Sequence, residues 1–129
     1  MIAHLITIGF VAMGGAIGAV ARYGVNVSAS HFFGHGFPWG TLIVNIVGSF
    51  LMGVAIVKFA QIEISAPLKT MMITGILGAF TTFSTFSLDA VTMYERGDVL
   101  HAFLYVMASV IISITALFFA LWLLKGNTI

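Results

Sequence analysis

The chain has 129 residues, of which 60% are hydrophobic and only 7% are charged, and its formal net charge is +1. A soluble domain carries about 25% charged residues, so a sequence this poor in charge is typical of a membrane protein. The low net charge argues against a basic nucleic-acid-binding surface, and we expect no nucleic-acid partner. The absence of cysteine excludes disulfides, zinc–thiolate sites and thiol nucleophiles.

Four apolar stretches each have about the 20 residues that a helix needs to cross a bilayer. They cover Met1–Ala21, Phe37–Val57, Thr70–Leu88 and Ala102–Leu124, and none contains a charged residue. No Lys or Arg precedes the first stretch, so we interpret it as a span rather than a cleavable signal peptide. The sequence therefore predicts an all-α, multi-pass integral membrane protein with four transmembrane helices. Residues 1–129 form a single domain, with connectors at 26–36, 58–69 and 94–98.

The few basic residues are divided almost evenly between the two ends of this predicted bundle. Lys58, Lys69 and Lys125 fall on the side of the termini, whereas Arg96, and Arg22 if it reaches the interface, fall on the other. Membrane proteins are oriented by an excess of Lys and Arg on one side, and a bias this small is compatible with insertion in either direction. We therefore hypothesise an antiparallel, dual-topology dimer, the oligomeric counterpart of the inverted repeats found in transporters.

Small residues in the first and second spans predict close helix packing. Gly14 and Gly18 are four residues apart, and Gly48, Ser49 and Gly53 lie within the second span. This spacing lets helix backbones approach closely in a bilayer. It indicates a tightly packed bundle and carries no information about a substrate.

Polar side chains recur every fourth residue in two of the spans. They are Thr41, Asn45 and Ser49 in the second span, and His101, Tyr105, Ser109 and Ser113 at and within the fourth. An unpaired polar group in hydrocarbon costs several kcal/mol, so these groups face a partner helix or water. Interhelical hydrogen bonds would explain any one of them, whereas two continuous stripes favour a polar path through the membrane.

The third span combines glycines with hydroxyl residues at its centre. Gly75 and Gly78 precede a run of Thr, Ser and Phe that extends from residue 81 to 87. Glycine is a poor helix former, so the composition predicts a break between Gly75 and Thr82. Broken helices at membrane depth occur only inside protein or beside a wet cavity. Their free carbonyls can bind a cation, and their free amide groups can attract an anion.

The hydroxyl run also has two faces on helical spacing. Phe83 and Phe86 lie on one face, and Thr81, Ser84 and Thr85 lie roughly opposite. Aromatic rings have a positive edge, which can interact weakly with an anion, although packing alone would also explain the two rings. The sequence thus presents an aromatic face and a hydroxyl face on one helix.

Few ionisable groups remain that could carry chemistry. Asp89 and Arg22 lie close to span ends, where a long or polar side chain can reach the interface. His31 and His35 have the spacing of a metal-binding pair on a helix, but the flanking glycines oppose a helix and we expect no metal there. The chain has no carboxylate pair, catalytic triad or phosphate-binding glycine–lysine motif. We therefore expect no enzymatic activity.

The order of these motifs resembles a known family over nearly the whole chain. The run from Gly78 to Ser87, GAFTTFSTFS, looks like the signature of the Fluc (CrcB) fluoride channels. The segments Gly14–Arg22 and Trp39–Asn45 are similar to that family's first-span and second-span motifs. Ala79 stands where the family usually has a second glycine, and Asp89 stands where it often has Glu.

The resemblance implies a fluoride-specific channel of the cell (inner) membrane that lowers cellular fluoride by passive export. Such channels are dual-topology homodimers with two pores and a structural sodium ion at the dimer interface. By resemblance, the backbone carbonyls of Gly78 and Thr81 would hold that sodium. The candidate fluoride path comprises Phe83, Phe86, Asn45, Ser84, Thr85, Tyr105, Ser109, Ser113, Thr41, Arg22 and Asp89.

Two alternative functions follow from the same residues. A small four-span proton-coupled antiporter would depend on Asp89 and on a proton gradient, although such antiporters need a carboxylate deep in a span. A structural subunit of a membrane complex would transport nothing by itself. The polar stripes favour transport over a structural role, and the lack of a mid-span carboxylate favours a channel over an antiporter.

Overall fold

A computed structural model describes residues 1–126 as a bundle of helices. Helix α1 covers Ile2–Phe33 and α2 covers Trp39–Gln61. The third span, Ala66–Glu95, consists of α3 (Ala66–Thr70), a π-helical turn (Met71–Leu77), α4 (Gly78–Phe80) and α5 (Phe83–Glu95). Helix α6 covers Val99–Lys125. The described residues thus contain four helical segments long and apolar enough to cross a membrane, in agreement with the sequence prediction.

Helix α1 is longer than the sequence predicted. The segment predicted as the loop 26–36 is helical as far as Phe33. The polar residues there did not end the helix, because one of them, Asn26, packs closely against Gly40 of α2, and Ala29 is buried. The helix ends at Gly34, whose φ of 77° lies in the left-handed region that glycine adopts without a steric penalty.

The other connectors are shorter than the apolar runs suggested. Residues 62–65 join α2 to α3, whose first turn contains Pro67, a position at which proline is well tolerated. Residues 96–98 join α5 to α6, with Gly97 at a φ of 88°. Because every connection is short, neighbouring spans run in opposite directions. The C-terminal end of α2 and both ends of the third and fourth spans extend past the apolar stretches, because hydropathy marks the membrane-embedded part of a helix rather than its full length.

Two close crossings hold the bundle together. Helix α1 packs on the π-helical turn and α4 of the third span, and α2 packs on α6. At the first crossing, a Cβ added to Gly75 would lie 3.0 Å from the Cα of Gly14. At the second, a Cβ on Gly53 would lie 2.8 Å from the Cβ of Ala120. The predicted packing role of the glycines is therefore confirmed at Gly14, Gly18 and Gly53.

The buried core lies where α2, α5 and α6 meet. It is formed by Leu42, Phe86, Met93, Ala102 and Tyr105. Most large apolar side chains elsewhere are exposed, including many along α1 and α6. A surface of this kind requires lipid or a partner chain, because water would not solvate it.

Candidate functional site

The third span is interrupted at Thr81 and Thr82, near its centre. The φ and ψ angles are −84° and 160° at Thr81 and −154° and 127° at Thr82, so both residues are extended. The break therefore falls at the C-terminal end of the range Gly75–Thr82 that the sequence predicted. The two glycines stay helical, and Gly78 donates its N–H to the carbonyls of Ile73 and Gly75.

Asn45 of α2 joins its side-chain amide to the backbone of this break. The N–H of Thr82 donates to Asn45 Oδ1 at 2.8 Å, and Asn45 Nδ2 donates to the carbonyl of Thr82 at 3.0 Å. Gly48, one turn further along α2, allows this approach, since a Cβ there would collide with the Thr81 side chain. The second span thus supplies hydrogen bonds that the interrupted helix cannot make for itself.

Thr82 begins helix α5 as its N-terminal cap. Its hydroxyl accepts the N–H of Thr85 at 3.2 Å, one of the first backbone donors that a helix leaves without an internal partner. The hydroxyl of Ser84, which is exposed, lies 3.4 Å from the same oxygen. Sequence analysis did not identify Thr82 as a site residue, although a Thr before a helical run is a recognised capping signal.

A cavity of about 360 Å³ opens beside the break, and we call it the Phe cavity. Its lining includes Asn45, Ser49, Thr81, Thr82, Phe83, Phe86, Ser109 and Ser113. The rings of Phe83 and Phe86 are 5.6 Å apart. Phe83 is 79% exposed, whereas Phe86 is only 9% exposed and packs against Tyr105.

Ser109 and Ser113 line the Phe cavity, and their hydroxyls have no partner among the described residues. Ser109 Oγ and Ser113 Oγ are buried and make no hydrogen bond with any residue from 1 to 126. Hydroxyls in membrane helices commonly donate to the carbonyl four residues earlier, as those of Thr81 and Ser87 do here at 2.9 Å. The wall of the cavity therefore contains two hydroxyl groups that no residue from 1 to 126 bonds.

The buried ring of Tyr105 lies between the Phe cavity and the carboxylate of Asp89. Its hydroxyl donates to Asp89 Oδ2 at 3.0 Å, and Thr41 lies near the same hydroxyl. The ring packs on Phe86 at a centroid distance of 5.3 Å. Residues that the sequence placed on three different spans are therefore brought together around Tyr105.

A second cavity of about 370 Å³, here called the Asp89 cavity, opens at the end of the bundle where α1 meets α2. Thr41, Thr85, Asp89 and Arg96 contribute to its lining. Thr85 thus faces the Asp89 cavity, while Phe83 and Phe86 face the Phe cavity. Arg22 is half-buried on α1 and is absent from the lining of both cavities in the described part of the chain.

The rim of the Asp89 cavity is held by a polar cluster that sequence analysis did not identify. Arg96 Nη2 donates to the carbonyl of Gly36 at 2.6 Å and lies 3.5 Å from Asp98 Oδ2. The other carboxylate oxygen, Asp98 Oδ1, lies 2.6 Å from His101 Nδ1. The hydrogen bond with His101, followed by the charges of His101 and Arg96, holds the pKa of Asp98 below its usual range. Residues 1–126 contain no group of three or more side chains able to bind a metal, so His31 and His35 lack further ligands there.

Comparison with known proteins identifies the family. Residues 9–121 match the family described as CrcB-like protein, Camphor Resistance (CrcB). The chain is 50% identical over 115 residues to the fluoride-specific ion channel FluC of Agrobacterium fabrum, covering 88% of this chain and 92% of that protein. It is 52% identical over 117 residues to the protein of the same name from Cereibacter sphaeroides, covering 90% of this chain and 92% of that protein. The chain belongs to the CrcB family.

Proposed function

We propose that this chain forms a passive, fluoride-selective channel that exports fluoride across the cytoplasmic membrane. Relatives covering nine-tenths of the chain carry the name fluoride-specific ion channel. The observation that carries the proposal is that one cavity is lined by two phenylalanine rings and by Ser109 and Ser113, whose hydroxyls no residue from 1 to 126 bonds. An apolar cavity with a few free hydrogen-bond donors suits a small anion better than a bulky drug.

The chemistry of the cavity matches what a desolvated anion requires. A narrow pore must replace the hydration shell of an ion with protein groups, at sites weak enough to release it. The hydroxyls of Ser109 and Ser113 can donate O–H groups. The rings of Phe83 and Phe86 can offer their positive edges. Asn45 Nδ2 has a second hydrogen besides the one that it donates to Thr82, so one amide donor remains.

We propose that fluoride moves between the Phe cavity and the Asp89 cavity along α6. Tyr105 lies between them, since it packs on Phe86 and bonds Asp89, and Thr41 lines the Asp89 cavity. The carboxylate of Asp89 accepts the Tyr105 hydrogen bond, which keeps one of its oxygens occupied beside the path. Fluoride would pass Asp89 rather than bind it, since both carry negative charge. Thr85 lines the Asp89 cavity, whereas Ser84 and Arg22 are outside the lining that residues 1–126 give to either cavity, and all three are proposed to affect entry rather than passage.

We further propose that the functional unit is an antiparallel homodimer with a structural sodium ion between the subunits. The break offers oxygen ligands, which hard cations prefer. Gly78 is among the last four residues of a helix, whose carbonyls lack helical partners. Thr81 is extended, so its carbonyl is also removed from the regular ladder. Backbone carbonyls at such a break are suitable sodium ligands. Exposed Phe83 beside them is a surface that a second copy would cover.

The test of this function is anion efflux from liposomes that contain the purified protein. Fluoride and chloride electrodes would record both anions from the same vesicles, without an imposed proton gradient. We expect rapid loss of fluoride and retention of chloride. Flux that requires a proton gradient and disappears in D89N would instead support an antiporter. Silence for both ions, with folded protein, would favour a structural subunit.

A further inference from the structure

The break in the third span separates the carbonyls of residues 78–81 from their helical donors, and two of those donors have side-chain acceptors instead. In a continuous α-helix each N–H bonds the carbonyl four residues earlier. The N–H of Thr82 would then bond the carbonyl of Gly78, but it donates to Asn45 Oδ1 instead. The N–H of Thr85 would bond the carbonyl of Thr81, but it donates to the hydroxyl of Thr82. Two side-chain oxygens thus take the place of the two carbonyls.

We infer that Asn45 and Thr82 are positioning residues that keep the carbonyls of Gly78 and Thr81 free for a cation. This inference rests on the sodium site proposed above and assigns a role to residues that do not contact the ion. A carbonyl in a helical hydrogen bond points along the helix axis toward its donor. Once that donor is occupied elsewhere, the carbonyl can turn toward an ion beside the helix. A backbone N–H left without a partner would be costly, so the diversion requires a substitute acceptor.

The surroundings of the two substitutes show why they can hold this arrangement. Asn45 is fixed by hydrogen bonds in both directions, because its Nδ2 donates to the carbonyl of the same Thr82 whose N–H it accepts. Thr82 is buried, with 9% of its surface exposed. Thr81 is held from the other side, because its N–H and its hydroxyl both donate to the carbonyl of Leu77. The break is therefore anchored at both of its residues.

The experiment measures the sodium response of the purified full-length protein in detergent. Thermal unfolding and the fraction of dimer would be recorded over a range of sodium concentrations, with a large organic cation as replacement. A ligand that binds only the folded state raises its stability as concentration increases. We expect the wild type to show this response. Losing one of the two substitute hydrogen bonds should weaken sodium binding by a factor of about 2 to 10. N45A and T82V should therefore each need several-fold more sodium for half-maximal stabilisation.

The control variants separate positioning from general damage. T82S keeps the capping hydroxyl and should show the wild-type sodium response. T70V removes a hydroxyl that bonds the Ala66 carbonyl, far from the break, and should leave the sodium response unchanged. T82V and T82S keep the inference testable if N45A does not fold. A wild-type response that T82V retains at the same half-saturating sodium concentration would overturn the inference alone. A wild type without any sodium response would overturn the sodium site and the inference together, independently of the fluoride-efflux result.

Discussion

At the residue scale, the two phenylalanines of the Phe cavity differ sharply in burial. Phe83 is 79% exposed in a single chain, whereas Phe86 is almost fully buried against Tyr105. We expect F83I to reduce fluoride efflux from liposomes while leaving the stability of the subunit almost unchanged. F86I should reduce efflux as well and should also destabilise the subunit, because it removes a ring from the core. Unchanged efflux in both variants would contradict the proposed role of the rings.

The unpartnered serines lead to a prediction in which function and stability change in different directions. Removing a buried hydroxyl that has no partner is neutral or stabilising, since its desolvation cost is also removed. S109A and S113A should therefore keep or raise the midpoint of thermal unfolding. Each should lower fluoride efflux by a factor of about 2 to 10, the value of one hydrogen bond. S87A is the matched control, because its hydroxyl is already bonded to the Phe83 carbonyl. A loss of stability in S109A would show that the hydroxyl has a structural partner.

Features of single residues that depend on local spacing could be predicted from the sequence, whereas contacts between distant residues could not. The hydroxyls of Ser109 and Ser113 were identified from their spacing in one helix, since helical periodicity is a local property. The sequence did not predict that Tyr105 contacts Asp89 or that Asn45 contacts Thr82. These contacts join residues 16 and 37 positions apart in the chain. Composition predicted that the third span breaks, but glycine content placed the break too broadly. Its position at Thr81–Thr82 depends on an acceptor from another span.

At the scale of elements, the crossing of α1 with the third span tolerates no side chain at Gly18. A Cβ there would collide with the carbonyl of Ile76. Overpacking of this kind costs about 1–3 kcal/mol, so G18A should lower the unfolding midpoint clearly. G15A is the matched control, since nothing lies within 4 Å of its added Cβ, and Ala is the better helix former. Equal midpoints for the two variants would show that the crossing is looser than the structure indicates.

The polar cluster at the rim of the Asp89 cavity leads to a prediction about pH. The pKa of Asp98 lies below its usual range because of its hydrogen bond with His101 and the nearby charges. A carboxyl with a depressed pKa in the folded state contributes stability above its unfolded pKa, and that contribution is lost as the pH falls through the folded pKa. D98N should therefore be less stable than the wild type at neutral pH. The two should converge in strongly acidic solution, as measured by thermal unfolding. A gap that persists in acid would indicate a contribution from Asp98 other than its charge.

At the scale of the whole molecule, both ends of the bundle carry charges of both signs, but Lys and Arg are divided unequally between them. Lys58, Lys69 and Lys125 lie toward the end of the bundle that carries the chain termini, whereas Asp89, Glu95 and Asp98 lie toward the opposite end. Only Lys and Arg contribute strongly to orientation, and acidic residues contribute little. Three Lys residues lie at one end and Arg96 at the other, with Arg22 inside α1. This small excess is the physical basis for expecting both orientations in one membrane.

Dual topology can be tested directly because the native chain contains no cysteine. Single-cysteine variants E63C and E95C place an exposed thiol at opposite ends of the bundle, and both replace an acidic residue, so the Lys and Arg balance is unchanged. A membrane-impermeant thiol reagent added to intact cells should label about half of each variant, since antiparallel subunits expose both ends on both sides. Disrupting the cells should bring both to full labelling, which serves as the control. Complete labelling of one variant with none of the other would establish a single orientation, and the channel would then need a parallel arrangement of its subunits.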